Sequence, residues 1–174
     1  MANKVIRIGI DLDGVVTNNP PIIPKKTIEW LVKSHTNHTK KYRFPKTKLE
    51  RQVRIASHYH KLRPPLTRNL KTIKNLEESK KFEIFFISSR YRFLNNRTKQ
   101  WFKNYYPTFD FKKVNINLEN EQPHLFKERM IRKLRINFFL EDDPRTIAYL
   151  EKNLKNCPII QIRKDGQIKK NLFS

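Results

Sequence analysis

Cysteine is almost absent from this sequence, which contains Cys157 and no other among its 174 residues. One thiol cannot form an intramolecular disulfide or a zinc site built from cysteines, so both are excluded and a reducing compartment is expected. No apolar run approaches the roughly 20 residues of a membrane span, and the first residues show no signal-peptide pattern. We therefore expect a soluble intracellular protein of the cytoplasm, or of an organelle matrix, with no membrane partner.

Acidic residues are also scarce, because 16 Asp and Glu stand against 38 Lys and Arg and leave a net charge of +22. Such an excess favours a polyanionic partner: nucleic acid, a ribonucleoprotein surface or anionic substrates. It is strongest in residues 20–68, where 13 Lys or Arg face two acids. The aromatic residues Tyr42, Phe44 and Tyr59 lie in this region and could stack on bases. A biased genome composition and a solvated face are the alternative explanations.

The pattern of apolar residues predicts an α/β fold. Five short apolar runs are mostly continuous, as in parallel strands covered on both faces; they are 5–10, 82–87, 111–118, 136–140 and 158–162. Apolar side chains at helical spacing lie between them, in 66–76, 94–105, 126–134 and 147–154. Asp143-Pro144 is a typical helix start, with an Asp cap before Pro at the first helical position. Alternating strands and helices favour one domain with a mostly parallel five-stranded sheet.

One segment interrupts this alternation, because about seventy residues separate the first predicted strand from the second. Helical spacing recurs in it at 28–35 and 49–56, on either side of a basic, turn-like stretch. We interpret 18–65 as a small basic helical cap inserted after the first strand and closed by Pro64-Pro65. The core then comprises 1–17 and 66–174.

Polar side chains follow three of the predicted strands, at the edge where doubly wound sheets bind ligands. These stretches are Asp11-Leu12-Asp13-Gly14, Ser88-Ser89-Arg90 and Glu141-Asp142-Asp143, and Lys127 opens the helix before the fourth strand. Carboxylates from two strands form an all-oxygen pocket that suits Mg²⁺. A nearby hydroxyl and ammonium suit a phosphoryl group.

The two aspartates after the first strand can divide the chemistry of phosphoryl transfer. Asp11 could attack phosphorus in line, and Asp13 projects to the same side of an extended chain. Asp13 can then protonate the leaving oxygen and later activate water. Gly14 allows the backbone to turn away sharply.

DLDGVV, a strand ending in Ser88, Lys127 and FFLEDD follow one another along the chain. In this order they resemble the four motifs of the haloacid-dehalogenase (HAD) superfamily of phosphohydrolases. ISSRYRFLNNRTKQWF and FFLEDDPRTI are further similar to the small nucleotidase group related to 5′(3′)-deoxyribonucleotidases. The resemblance implies a Rossmann-like HAD core that carries the cap.

The resemblance also implies roles for the acidic residues. Asp11 would form the aspartyl-phosphate and ligate Mg²⁺, and Asp13 would be the general acid and base and give its backbone carbonyl to the metal. Asp142 would complete the metal shell with help from Asp143 or Glu141, and the register within this triplet stays open.

The phosphate contacts follow from the same resemblance. Ser88, with Ser89 beside it, would hydrogen-bond the transferring phosphoryl, and Lys127 would neutralise it and orient Asp11. Arg90 and Arg92 could bind substrate phosphate or base, or be ordinary surface charge.

Two alternatives concern other residues. Lys133 is the second choice for the family lysine, although it lies so close to the fourth strand that it should point away. His58 and His60 form an HYH stretch that could hold a metal, but a cap surface or a substrate-facing pair is the favoured interpretation.

These residues together predict a Mg²⁺-dependent phosphatase, and the resemblance to the nucleotidase group implies nucleoside monophosphates as its substrates. Two alternatives remain open: a phosphatase acting on nucleic-acid ends, and a HAD-fold protein bound to RNA or the ribosome in a largely structural role.

Overall fold

The structure, a computed structural model, describes residues 5–18 and 44–162 of the chain. Within them five strands form one all-parallel sheet in the order β3-β2-β1-β4-β5. The strands are β1 Ile6–Ile10, β2 Phe82–Tyr91, β3 Val114–Asn117, β4 Phe138–Glu141 and β5 Ile159–Gln161. The predicted α/β class and parallel sheet are confirmed.

The central strand β1 fixes where the sequence motifs meet. Ile10 pairs with Phe86 of β2 on one side and with Leu140 of β4 on the other. The next residue, Asp11, donates its backbone N–H to the Leu140 carbonyl at 2.9 Å. Since parallel strands all end at one edge, Asp11 and Glu141 are brought to the same place.

Five helices accompany the sheet in the described ranges: α1 Lys48–Ser57, α2 Thr67–Glu78, α3 Asn95–Tyr105, α4 Pro123–Leu134 and α5 Pro144–Asn153. Their starts follow local sequence. Thr47 and Glu50 form a reciprocal capping box at α1, and Asp143 accepts a hydrogen bond from the Thr146 N–H at α5. Arg135 ends α4 in the left-handed conformation, with φ of 51°.

Two apolar layers enclose the sheet. Leu70 and Ile73 of α2 and Trp101 of α3 pack with β1 and β2 on one face, whereas Phe126 and Leu150 of α4 and α5 pack on the other. Burial on both faces explains why the strands are continuously apolar.

Three strands differ from the sequence prediction by more than one residue at an end. β2 continues to Tyr91, with a register irregularity between Ser88 and Tyr91. Phe111–Lys113 is a 3₁₀ turn instead of strand, because Asp110 accepts a hydrogen bond from the Lys112 N–H and caps it. β4 begins at Phe138 and includes Glu141.

The inserted segment is described only in part. The predicted helix at 28–35 and the residue Tyr42 lie outside the described residues, whereas the helix at 49–56 is confirmed as α1. Its apolar residues Leu49 and Val53 are 74% and 40% exposed, and the buried side chain of α1 is Arg54. Apolar spacing thus located this helix without identifying its inner face.

The chain leaves the core and returns to it at one point. Thr17 and Pro65 form an isolated antiparallel bridge, and the Leu66 N–H donates to the Val16 carbonyl at 2.7 Å. The division into a core and an 18–65 cap stays a prediction. No helix in the described ranges is both long and apolar enough to cross a membrane.

Candidate active site

A buried lysine joins the first and fourth strands at the carboxyl edge of the sheet. Lys127 Nζ lies 3.1 Å from Asp11 Oδ1 and 2.5 Å from Glu141 Oε2, and all three residues are buried. Lys127 stands in the second turn of α4, which begins at Pro123, and its ammonium reaches Glu141 at the end of β4. The alternative lysine, Lys133, is exposed in the last turn of the same helix.

Asp142 lies directly against the backbone of Gly14. A Cβ atom built on Gly14 would be 2.0 Å from Asp142 Oδ2, and Gly14 has a φ of +81°. Glycine is therefore required twice here, for the left-handed backbone and for the close approach of the carboxylate. Because Gly14 has no side chain, the turn after β1 leaves room for the Asp142 carboxylate beside Asp11.

Asp11, Glu141 and Asp142 form an acidic cluster that could hold a metal ion. One carboxylate oxygen from each lies within 4.8 Å of those of the other two. Burial, together with neighbouring carboxylates, raises the pKa of Asp11 to about 8 and that of Asp142 to about 7. The cluster therefore favours added positive charge, and an all-oxygen donor set fits a hard cation.

Apart from any contact with a metal ion, Glu141 pairs with Lys127 and accepts two backbone hydrogen bonds. Burial raises the pKa of its carboxyl group, although its partner Lys127 opposes the shift. Its Oε1 accepts the backbone N–H groups of Asp142 and Asp143, both at 3.1 Å. Burial disfavours the charged ammonium of Lys127, yet Asp11 and Glu141 outweigh it and raise the lysine pKa, so Lys127 stays protonated.

Asp13 lies close enough to this cluster to raise the pKa of Asp11 and Asp142, but its own carboxylate is paired with two arginines. Arg90 contacts both of its carboxylate oxygens, Arg63 Nη1 lies 2.7 Å from Oδ1, and the Thr17 hydroxyl donates to Oδ1 at 3.0 Å. Burial alone would raise the pKa of Asp13, but the charges of Arg90 and Arg63 hold it well below its usual range. The metal contact expected of Asp13 involves its backbone carbonyl, and it stays a prediction.

The end of β2 supplies the predicted phosphate and substrate groups. Ser88 is buried, and its hydroxyl lies 3.4 Å from the backbone N–H of Arg90. Ser89 is half-buried, whereas Arg92 is exposed and donates its backbone N–H to the Asn120 side chain. Of the two arginines, Arg90 thus points into the site and Arg92 lies at the surface.

The remaining candidates have other contacts. Asp143 accepts hydrogen bonds from the Thr146 N–H and hydroxyl and so caps α5. His58 donates from Nδ1 to the Arg54 carbonyl at 2.8 Å; burial, with Arg63 and Arg90 nearby, holds its pKa well below the usual range. The His60 ring packs between Tyr59 and Tyr105. Neither histidine belongs to the acidic cluster described above.

Arg63 is the site residue that sequence reasoning missed. It lies 50 positions from Asp13 in sequence and in the stretch interpreted as cap, so no local pattern connects the two residues. The one available signal is its place directly before Pro64-Pro65, where the chain was expected to rejoin the core.

The fold has a known counterpart among solved structures. Among solved structures, the chain is similar to a HAD family enzyme from Bacteroides thetaiotaomicron, an aspartate-to-alanine mutant in complex with magnesium and inorganic phosphate. The two share 16% sequence identity with a TM-score of 0.60, over 98% of this chain and 100% of that chain. This likeness confirms the HAD fold, and the nucleotidase-like grouping stays a prediction. No protein-family model and no curated protein matches the chain.

Proposed function

We propose that this protein is a Mg²⁺-dependent phosphomonoester hydrolase that works through an aspartyl-phosphate. The observation that carries the proposal is the arrangement around Asp11, whose carboxylate lies beside a buried ammonium and within an acidic cluster. The structural relative, which was solved with magnesium and inorganic phosphate, supports it.

Asp11 and Asp142 would hold the metal ion, with the backbone carbonyl of Asp13 beside them. Bound Mg²⁺ would offset the repulsion between these carboxylates and the negative charge of the phosphoryl oxygens. Glu141 already pairs with Lys127 and accepts the backbone N–H groups of the turn before α5. Its role in the proposed mechanism is therefore to orient the lysine.

The protein groups then divide the reaction into two steps. Asp11 attacks phosphorus and forms the aspartyl-phosphate while the bond to the leaving oxygen breaks, and Asp13 delivers a proton to that oxygen. Asp13 must take up that proton as substrate binds, because Arg90 and Arg63 favour its ionised form in the free protein. Asp13 next takes a proton from water, which attacks the same phosphorus and releases phosphate with Asp11 restored. Lys127 and the Ser88 hydroxyl stabilise the phosphoryl oxygens throughout.

Mg²⁺ affinity should increase with pH, because the ion must displace protons from Asp11 and Asp142, whose pKa values lie near 8 and 7 without metal. The metal-free folded state also retains protons that the unfolded chain has lost, so these two groups contribute less stability as pH rises from about 4 to about 8. Calorimetric Mg²⁺ titrations at several pH values test the first statement. Asp142→Asn should lose the binding, and an affinity independent of pH would contradict the assignment.

The substrate class we propose is nucleoside monophosphates. Aromatic rings stand next to the Arg90–Arg92 segment: Phe44 packs edge-on against Tyr91 with centroids 4.8 Å apart, and Phe93 lies 6.3 Å from Phe44. Tyr91 is buried, whereas Phe44 and Phe93 are half-buried, and partly exposed rings of this kind can hold a base by stacking. This arrangement supports the nucleotidase-like resemblance of the sequence.

A substrate panel tests this proposal. With Mg²⁺ present, we expect hydrolysis of p-nitrophenyl phosphate, and a higher kcat/KM for nucleoside monophosphates than for sugar phosphates of equal charge. Equal kcat/KM values for the two substrate classes would show that the protein does not recognise the base. If no phosphomonoester is hydrolysed in the presence of Mg²⁺, the proposed phosphatase activity is wrong.

The uneven distribution of charge favours a second candidate, a phosphatase acting on nucleic-acid ends. On α4, Arg129 is paired with Glu121 and Arg132 with Glu128. Residues 88–118, which include α3, instead contain seven Lys or Arg and the single acid Asp110. Arg90 and Lys113 are paired with acids outside this stretch, and so many cations beside a single acid suit a polyphosphate backbone.

Salt dependence distinguishes the two candidates. For a nucleic-acid substrate, kcat/KM on a 5′- or 3′-phosphorylated oligonucleotide should fall steeply with salt concentration, with a log–log slope several-fold steeper than for the mononucleotide. Equal slopes would favour the mononucleotide. Salt-sensitive binding of a phosphate-free oligonucleotide equal to that of the phosphorylated one would favour an RNA- or ribosome-bound role.

A further inference from the structure

Two buried arginines, Arg63 and Arg90, form ion pairs with the carboxylate of Asp13, near the proposed nucleophile. We call these two arginines the arginine clamp. Arg90 donates from Nε to Asp13 Oδ2 at 2.8 Å and from Nη2 to Oδ1 at 2.6 Å, and Arg63 Nη1 donates to Oδ1 at 2.7 Å. The arginine side chains are 2% and 7% exposed, whereas that of Asp13 is 32% exposed. Asp13 is therefore partly accessible to solvent, whereas the guanidinium groups that hold it are buried.

Both arginines are themselves fixed by the surrounding structure. Arg90 Nη1 donates to the hydroxyl of buried Thr98 on α3 at 3.2 Å. Arg63 Nε donates to the Ser57 carbonyl at the end of α1, and the Arg63 carbonyl accepts the Trp101 indole N–H at 2.8 Å. The clamp is thus part of the packed core and cannot follow Asp13 if the aspartate rotates.

Fold stability alone is a poor reason for this arrangement. Removing two guanidinium groups from water costs several kcal/mol each in general, and a single carboxylate offsets this only with good geometry. A planar, bidentate fork on a carboxylate does, however, restrict it to one orientation, which a lysine in the same place would not. Groups that donate and accept protons in catalysis require that restriction.

We propose that Arg63 and Arg90 are positioning residues that hold the Asp13 carboxylate where it meets the leaving oxygen. This inference rests on the proposed function, in which Asp13 exchanges protons with the leaving group and with water. Arg63 comes from the segment between α1 and α2, and Arg90 comes from the end of β2. Asp13 is therefore oriented only when the chain that returns from the insertion has docked on the core.

Leaving-group dependence separates positioning from general damage. A nucleoside monophosphate expels an alkoxide that needs a proton, whereas p-nitrophenyl phosphate expels a phenolate that leaves without one. For Arg90→Lys and Arg63→Lys we expect kcat on the nucleotide to fall about 100-fold, the scale of a 1 Å misplacement. The fall on p-nitrophenyl phosphate should be at least ten-fold smaller. Arg132→Lys, at an exposed ion pair on α4, is the matched control and should change neither value.

A double-mutant cycle completes the test. If the arginines act through Asp13, Arg90→Lys should add nothing to the defect of Asp13→Asn. Equal losses on both substrates, or additive losses in the cycle, would assign a purely structural role and overturn the inference. Should Arg90→Lys fail to fold, Arg63→Lys supplies the same readouts.

Failure of the proposed function can be recognised separately. If the wild-type protein hydrolyses neither substrate with Mg²⁺, the hydrolase proposal fails, and a crystal structure of Arg63→Lys or Arg90→Lys then tests the positioning itself. A displaced or disordered Asp13 carboxylate in the variant supports the clamp, and an unmoved carboxylate overturns it.

Discussion

Replacing Asp11 with asparagine should abolish Mg²⁺-dependent phosphate release while the protein still folds. The amide cannot form the aspartyl-phosphate, and it is a weaker ligand for a hard cation. Loss of a covalent nucleophile lowers kcat by on the order of 10⁴-fold or more in other hydrolases. Released phosphate measured under saturating Mg²⁺ and substrate is the direct assay.

The fold of this variant should survive because asparagine keeps the shape of Asp11 and removes one charge from a crowded cluster. Circular dichroism and thermal unfolding without metal check that expectation. Asp110→Asn is the matched control: Asp110 is exposed and caps a 3₁₀ turn, a role that asparagine also fills. Turnover by Asp11→Asn comparable to that of the control would exclude Asp11 as the nucleophile.

The sequence predicted those parts of the site that strand ends determine. Asp11 follows the central strand and Glu141 closes the neighbouring one, so their meeting follows from parallel pairing. Lys127 was predictable because a helix leading into β4 must cross that edge. The cap role of Asp143 was visible in the proline that follows it.

Contacts between distant segments could not be predicted in this way. The Arg63–Asp13 ion pair joins residues 50 positions apart, and its formation depends on how the returning segment packs on Trp101. The exposure of Leu49 on α1 could not be predicted for the same reason. Helical spacing of apolar residues indicates where a helix lies, but not which element it packs against. Local sequence patterns therefore predicted the strand-end residues of the site, whereas the position of Arg63 depends on tertiary packing.

Substituting alanine for Gly14 adds only one methyl group, yet we expect it to abolish Mg²⁺ binding at the proposed site. The left-handed backbone costs a non-glycine residue about 1–2 kcal/mol. The new methyl group would also stand 2.0 Å from Asp142 Oδ2, so the carboxylate must move away from Asp11. We expect a lower free energy of unfolding, loss of the stabilisation that Mg²⁺ gives the wild type, and turnover reduced at least about 100-fold, as for other misplaced site groups.

The two causes can be separated by removing the clash. In an Asp142→Ala background the methyl group at position 14 meets no carboxylate, so Gly14→Ala should cost only the backbone strain, measured by denaturant unfolding without metal. A smaller penalty there than in the wild-type background would show that Gly14 is required mainly to let Asp142 approach, because coupled neighbours give non-additive free energies. Equal penalties in the two backgrounds, together with Mg²⁺ stabilisation retained by Gly14→Ala, would instead show that the metal site does not depend on the contact between Gly14 and Asp142.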